Sequence, residues 1–355
     1  MNTPLAFVTG ATGLTGSHLL FDLLQKGYRV KALKRPQSDT SQALKTFGLY
    51  TDDADALFRK IEWAEGELLD FQCMSEIITG CTQVYHVAAV VSFSNGDKAE
   101  MMRINVDGTA NIVNVCIEKN LPLCHVSSIA ALGRSQTGEL IIENDLWQTD
   151  KGRSAYAYSK HKSEMEVWRG IAEGLKAVIV NPAVILGPGD RTKGSSKFFA
   201  QVNRGLRFHT PGMTAFVDVR DVSRCMLQLM EQKCFGERFI LSSSNLTYRE
   251  LFNLIADGFK MKRPGIAVQP WMLKIACGFS WLFGKLTGKT PALTGETAHS
   301  AFQKIRYSNE KIRKTLDYRF ISIEKSIEDC CNFFLQEQSL KDRHKGNARF
   351  AKIDS

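Results

Sequence analysis

The chain opens on a short apolar run, Leu5 to Val8, which breaks at three glycines and resumes with apolar residues at Leu14, Leu19, Leu20, Leu23 and Leu24. That change of period predicts a strand, a tight turn and a helix. The pattern then recurs along the chain. Gly27 closes the first helix and Tyr28 to Leu33 reads as a second strand, followed by a polar segment of helical character from Ser38 to Lys60. Asp70 is placed as the N-cap of a helix through Cys73 to Ile78. Gln83 to Val91 is almost continuously apolar, as a parallel strand covered on both faces should be. A helix from Asn105 to Lys119, a strand from Leu121 to Ser128, and helical spacing from Ser154 through Met165 and Trp168 come next. Leu175 to Val180 and Glu237 to Leu241 read as further strands, and Thr247 and Glu250 form a capping box that opens another helix. From about Pro264 the style changes: Met272, Ile275, Ala276, Phe279, Leu282, Phe283 and Leu286 recur at helical spacing. Such a stripe suits a core helix, a lid over an apolar substrate or an interfacial membrane helix, with packing in a small C-terminal lobe the preferred reading.

The first turn carries chemistry. Gly10, Gly13 and Gly16 stand three apart. At such spacing one glycine lets the chain turn, one lets backbone approach a pyrophosphate, and one lets helix pack on strand. The helix after the turn points free N–H groups at an anion. Between a strand and a helix this spacing predicts a dinucleotide site formed by Thr9, Gly10, Thr12, Gly13, Leu14 and Gly16, the alternative being a structural glycine turn. At the end of the second strand an acidic side chain would accept from a ribose 2′-hydroxyl, whereas a guanidinium pairs with a 2′-phosphate. Lys34 and Arg35 stand there with no carboxylate before Asp39, so NADP is expected rather than NAD. The competing reading makes both surface cations. Ala88 and Ala89 are small enough to admit a cofactor at the end of their strand, and His86, alone in an apolar run, is read as a packed core histidine.

Two hydroxyls, Ser127 and Ser128, end the strand before the helical segment that contains Tyr156-x-x-x-Lys160. Positions i and i+4 share a helix face, so phenol and ammonium point into one space. A nearby cation is expected to lower the tyrosine pKa toward the range useful for acid–base work. Tyr158 lies elsewhere on the helix and is expected to pack.

Composition changes this picture little. The 355 residues are 44% hydrophobic with a net charge of +9, enough for a large core and favourable to an anionic partner that need be only a phosphorylated cofactor. No zinc-finger spacing, basic helix or RNA-binding motif points to nucleic acid, and no metal site is expected. Part of the basic excess sits between Lys341 and Lys352, read as a solvated tail. The nine cysteines are scattered without a C-x-x-C pair, which suits reduced thiols in a cytoplasmic compartment. Met1 to Thr3 leads straight into the first strand, leaving no room for a signal peptide. No uninterrupted apolar span long enough for a transmembrane helix occurs, leaving at most a weak peripheral membrane contact through Trp271 to Leu286.

Taken in order, Thr9-Gly10-x-x-Gly13-x-x-Gly16, the strand-end Ser128 and Tyr156-x-x-x-Lys160 resemble the extended branch of the short-chain dehydrogenase/reductase superfamily. Within it the chain is nearest to the dihydroflavonol-4-reductase-like members of the NAD(P)-dependent epimerase/dehydratase family. The resemblance covers about residues 4 to 336. It implies an α/β fold, a Rossmann-type doubly wound parallel sheet with a smaller, mainly helical C-terminal lobe. Residues 1–181 and 214–244 would bind NADP, 182–213 and 245–336 would form the substrate lobe, and 337–355 the basic tail. Ser128 aligns with the family's catalytic hydroxyl, with Ser127 as fallback, and Tyr156 and Lys160 complete the catalytic set. Glu67 and Leu68 stand where the family has Asp-Leu beside the adenine, and Pro182 matches a residue beside the nicotinamide. Asn181 replaces the family's usual arginine. Asn105 is expected as a structural or proton-relay residue, and Arg220 and Asp221 as an internal structural pair. The implied activity is hydride exchange between NADP and a small-molecule ketone, aldehyde or alcohol. A nucleotide-sugar epimerase or dehydratase using NAD, a 3β-hydroxysteroid dehydrogenase-like lipid enzyme, and a non-catalytic NADP-sensing regulator are the alternatives. A homodimer is compatible with the resemblance.

Overall fold

The structure is a computed structural model that describes residues 3–92, 95–135, 139–148, 153–272 and 301–350. Its first half alternates strand and helix: β1 (Leu5–Thr9), α1 (Leu14–Gln25), β2 (Arg29–Lys34), α2 (Ser41–Phe47), α3 (Ala54–Phe58), β3 (Ile61–Glu65), α4 (Phe71–Ile78) and β4 (Gln83–His86). Next come α5 (Lys98–Met102), a π-helical turn at Arg103–Asp107, α6 (Gly108–Glu118), β5 (Leu123–Val126), a 3₁₀ turn at Ile129–Ala131, α7 (Ala155–Ala172) and β6 (Ala177–Pro182). The remainder comprises β7 (Val184–Leu186), α8 (Ser196–Asn203), β8 (Phe208–His209), β9 (Met213–Asp218), α9 (Val219–Glu231), β10 (Glu237–Leu241), β11 (Ser244–Thr247), α10 (Tyr248–Gly258) and β12 (Ile266–Ala267). Helices at Glu310–Leu316 and Ile323–Phe350 end the described chain.

Seven strands form one sheet in the order β10-β6-β5-β4-β1-β2-β3, every pair parallel. Period-two alternation divides β1 between two layers. Ala6 and Val8 join the cluster of Leu19, Leu20, Leu23, Val222 and Met226 from α1 and α9. Leu5 and Phe7 join Met74, Ile78, Ile112, Val113 and Val167 from α4, α6 and α7. Each fully buried Leu or Val contributes about 1.5–3 kcal/mol, so both faces are sealed by many modest terms. The chain is a doubly wound α/β protein of Rossmann type. Its strand order reverses between β1 and β4, and the crevice outside their carboxyl ends is where such sheets bind ligands. A third cluster, including Leu186, Phe199, Phe216, Leu251, Ile255, Ile327 and Phe334, packs α8 and α10 against the last helix.

Several expected elements are shorter or different. The strands expected over 83–91 and 121–128 end at His86 and Val126. Beyond β4 the apolar run continues outside the ladder, with Val87 to Val90 half-buried and Val91 exposed at 61%. The polar stretch 38–60 holds two short helices, and Lys304 and Tyr307 make isolated bridges to Met213 and Ile141. Asp70 caps α4 through Cys73 N at 2.9 Å, and Thr247 with Glu250 forms the expected capping box. The last helix runs through Phe350 and so includes most of the basic stretch from Lys341. Tyr158 is exposed at 42%, with the Lys162 ammonium over its ring, not packed. The apolar stripe beyond Met272 lies outside the described residues. Among the described residues no helix is long and apolar enough to cross a membrane, and no cluster of His, Cys, Asp and Glu could hold a metal.

Candidate active site

The glycine turn is built by close packing between β1 and β4. Gly10 takes φ +67°, and a Cβ there would lie 2.7 Å from Ala88 N and 2.8 Å from Ala88 Cα. A Cβ on Gly16 would overlap Gly10 O. The first and third glycines are therefore demanded by the protein's own backbone. Gly13 is different. It is exposed, it is the N-cap of α1, and no side chain caps that helix end. Uncapped N–H groups with the positive end of a helix behind them suit a phosphate. Thr12 and Leu14 are half-buried beside it, and Leu14 supports the Gly187–Gly189 segment, where a Cβ on Gly189 would sit 3.1 Å from Leu14 Cδ1.

Thr9 turns inward. Its hydroxyl accepts from Val87 N and Ala88 N, both at 3.1 Å, and meets His86 Nδ1 at 2.8 Å. His86 Nε2 lies 3.0 Å from the Thr109 hydroxyl, which donates to Asn105 O at 2.6 Å. With the Thr109 proton committed to that carbonyl, Nε2 is the protonated nitrogen and Nδ1 accepts from Thr9. Burial lowers the His86 pKa to about 3, with Lys160 adding to the effect, so the ring stays neutral and structural as expected. Asn105 clamps Val90 through both its amide atoms, at 2.7 and 2.9 Å, and donates to Ser159 Oγ at 3.0 Å. Ala88 and Ala89, between these anchors, are half-buried at the crevice.

The two serines after β5 point to different places. Ser127 donates to the buried Glu164 carboxylate at 2.6 Å. Ser128 caps the 3₁₀ turn by accepting from Ala130 N at 3.1 Å, and its side chain lies beside the Tyr156 phenol, close enough to act on its pKa. The helix that carries Tyr156 starts at the Ser154 cap, whose hydroxyl accepts from Ala157 N at 3.0 Å. One turn on, the buried Lys160 donates from Nζ to Val126 O at 2.8 Å. Ser128, Tyr156 and Lys160 thus meet at the carboxyl end of β5, next to β4.

The electrostatics differ from the expectation that Lys160 acidifies Tyr156. Burial pushes the Tyr156 phenol up, and the neighbouring Ser128 side chain opposes this. The ammonium is turned to the Val126 carbonyl, and burial lowers its own pKa to about 8 despite the opposing pull of Glu164. Tyr156 is therefore a protonated phenol at neutral pH, a proton donor in waiting.

Glu164 escaped the sequence reading. Its Oε2 accepts from Ser127 Oγ and from Asn181 Nδ2 at 2.8 Å, and its Oε1 accepts from Arg238 Nη1 at 2.8 Å and Trp168 Nε1 at 3.3 Å. Asn181 also donates to Ser128 O at 3.1 Å. One carboxylate thus ties α7 to β5, β6 and β10 behind the Ser128–Tyr156 pair. The spacing of Tyr156, Lys160 and Glu164 at i, i+4 and i+8 is the signal that could have found it. Pro182, the last residue of β6, is buried opposite Leu241.

At the far side of the crevice Lys34 Nζ pairs with Glu65 Oε1 at 2.6 Å, a carboxylate supplied by the neighbouring strand. Arg35 is exposed and makes no ion pair among the described residues. Glu67 is exposed, while Leu68 is half-buried and lends its carbonyl to Asn111 Nδ2 at 2.9 Å. Arg220 and Asp221 are internal, but each has its own partners and they do not pair with each other. Arg220 pairs with Asp218 at 2.6 Å and Asp329 at 2.9 Å, and Asp221 accepts from Tyr318 Oη and Ile321 N, both at 2.9 Å.

Comparison with known proteins agrees with this geometry. Residues 6–240 match the model of the NAD dependent epimerase/dehydratase family. The chain is 30% identical to a sterol demethylase protein B of Methylococcus capsulatus over 75% of its own length and 78% of the relative's. It is 27% identical to a putative dihydroflavonol 4-reductase of Synechocystis, covering 92% and 94% of the two chains. The fold matches a UDP-glucose 4-epimerase of Thermotoga maritima with a TM-score of 0.73 at 20% identity, over 94% of this chain and 99% of that one. A crevice flanked by an uncapped helix end and an adjacent Ser–Tyr pair is thus found in a chain that belongs to the NAD dependent epimerase/dehydratase family, enzymes that use NAD(P) to act on CH–OH and C=O groups.

Proposed function

We propose that this protein is an NADP-dependent oxidoreductase that reduces a ketone or aldehyde to an alcohol, or runs the reverse reaction, with Ser128, Tyr156 and Lys160 as its working set. The observation that carries the reading is the convergence of the Ser128 and Tyr156 side chains at the carboxyl end of β5, close enough for the serine to act on the phenol's pKa, with the buried Lys160 one turn on and bonded to Val126 O. Two reductases, a putative dihydroflavonol 4-reductase and cinnamoyl-CoA reductase 1 of Petunia hybrida, stand among the relatives and favour this over epimerisation.

The residues present fit a dinucleotide: exposed Gly13 at an uncapped helix end, half-buried Thr12, Leu14, Ala88 and Ala89, and the cationic Arg35. Gly10 and Gly16 shape the turn, Thr9 holds it shut from below, and Glu67, Leu68 and Pro182 complete the proposed wall. When bound, the coenzyme supplies or accepts the hydride. Ser128 and Tyr156 hold the substrate oxygen between two hydroxyls, so that negative charge developing there meets preplaced donors. Tyr156, kept protonated by burial, delivers its proton to that oxygen in the direction of reduction. Lys160, charged below a pH of about 8, holds the helix to Val126 O and lends positive potential to the site. The substrate lobe is assigned to 182–213 and 245–336, where Leu186, Phe199, Leu251 and Phe334 share one cluster.

A second reading, an apolar ring ketone such as a sterol, is favoured by the register-paired Phe208 and Ile266, exposed at 44% and 46%, and by the Methylococcus relative. Fluorescence titration with NADPH and NADH, followed by a screen of NADPH oxidation across aldehydes, flavonoid ketones and steroid ketones, tests both. Tighter binding of NADPH and turnover of at least one ketone or aldehyde are expected. Absence of binding to either coenzyme would overturn the proposal.

A further inference from the structure

The carboxyl ends of β2 and β3 hold an arrangement that bears on coenzyme choice, and its significance rests on the NADP-dependent activity proposed for this site. Lys34 and Glu65 are direct partners in the parallel ladder, and Gly66 N donates to Lys34 O at 3.2 Å, so the two strand ends are locked side by side. The Lys34 ammonium reaches across to Glu65 at 2.6 Å, with the Lys34 side chain 23% exposed and that of Glu65 55% exposed. Arg35 begins the next turn, in which Ser38 N donates to Arg35 O at 2.9 Å and Arg35 N donates to Ser38 Oγ at 3.2 Å. The nearby Asp39 carboxylate is taken up by Ser41, through N and Oγ at 2.8 Å each. One cation of the Lys34-Arg35 pair is therefore neutralised by Glu65, and the other stands without a carboxylate among the described residues.

We infer that Glu65 is a selectivity-determining residue: by holding Lys34 in an ion pair it leaves Arg35 as the cation that receives a ribose 2′-phosphate, and it limits the preference for NADP over NAD. The physics is that of two like charges. A 2′-phosphate dianion beside Arg35 lies within a Debye length of the Glu65 carboxylate and is repelled by it, whereas a 2′-hydroxyl is indifferent to that charge. Removing the carboxylate ends the repulsion and frees the Lys34 ammonium to act as a second phosphate partner. An exposed charge pair has a small effect, so the shift is a tuning of about fivefold and not a reversal.

The test measures dissociation constants of NADPH and NADH by fluorescence for the wild type, Glu65→Gln, Lys34→Ala, Arg35→Ala and the double variant Glu65→Gln/Lys34→Ala. The inference expects Glu65→Gln to tighten NADPH about fivefold and leave NADH unchanged, with the gain shrinking in high salt. Lys34→Ala should change NADPH binding less than twofold alone, yet cancel much of the gain in the Glu65→Gln background, as coupled charges do. Arg35→Ala should weaken NADPH about tenfold with NADH unaffected. Equal shifts for both coenzymes in Glu65→Gln, or a loss in Lys34→Ala as large as that in Arg35→Ala, would overturn it. If Arg35→Ala moves neither coenzyme, the NADP reading itself fails, and that result is distinct from an Arg35 effect without a Glu65 effect.

Discussion

The side chain of Ser128 lies beside the phenol of Tyr156 and opposes the rise that burial imposes on its pKa, although 28 positions separate them and they belong to different elements. The pair is preassembled: Ala130 N fixes the serine oxygen and the Ser154 cap fixes the helix start beneath the tyrosine. In the proposed mechanism Ser128→Ala removes one of two donors to the developing oxyanion, so turnover should fall about a hundredfold. NADPH affinity should stay within about twofold, because the proposal sets the serine against the substrate oxygen and not the coenzyme. Steady-state kinetics together with a binding titration check both numbers.

A buried lysine should leave its mark on the pH profile. The Lys160 pKa is lowered to about 8 by burial, so the ammonium is lost as pH rises through that value. If activity needs the charge, kcat should fall on the alkaline side with a midpoint near pH 8. The sign for stability is opposite. The unfolded chain holds this proton up to about pH 10.4, so wild type should gain stability relative to Lys160→Met as pH rises from about 8 to 10. A flat rate profile between pH 7 and 9 would contradict the assignment.

Glu164 predicts a stability effect. Replacing it by Ala leaves Arg238, whose side chain is only 16% exposed, without its carboxylate, with only the Glu143 and Asp145 carbonyls still accepting from it. Breaking a buried pair from one side costs about 3–5 kcal/mol. Denaturant unfolding should register that loss, and a change under about 1 kcal/mol would show that the carboxylate is dispensable.

Gly16→Ala sets a Cβ against Gly10 O and 2.8 Å from Ala11 Cα, all backbone that cannot step aside. Overpacking of this kind costs about 1–3 kcal/mol and displaces the turn. A lower melting temperature together with NADPH binding weakened at least tenfold is expected. Gly13→Ala, whose Cβ would meet only Gly10 O at 3.3 Å, should keep its melting temperature and lose binding alone.

The features legible in the sequence are those carried by near neighbours. Gly10, Gly13 and Gly16 form one turn, Tyr156 and Lys160 lie one helical turn apart, and the caps at Asp70 and Thr247 reach three residues. The Rossmann sheet could be read from these and from the alternation of apolar runs. Partners far apart in the chain were not legible. Glu164 gathers Ser127, Asn181 and Arg238 from 37, 17 and 74 residues away, and Glu65 meets Lys34 from 31 away. The sign of the Tyr156 shift was missed for a related reason: a motif reveals the nearest charge but not the depth of burial, and here burial prevails. The strand ends at His86 and Val126 were not legible because the sequence runs on past each ladder without a break, through the half-buried Val87 to Val90 on one side and the paired serines on the other.

The central claim is that the Tyr156 hydroxyl gives its proton to the substrate oxygen. It is tested most directly by measuring kcat of Tyr156→Phe with NADPH and an accepted ketone, alongside the NADPH dissociation constant of the same preparation. The account predicts a loss of about a hundredfold or more in kcat with coenzyme binding retained. Wild-type turnover in that variant would contradict it.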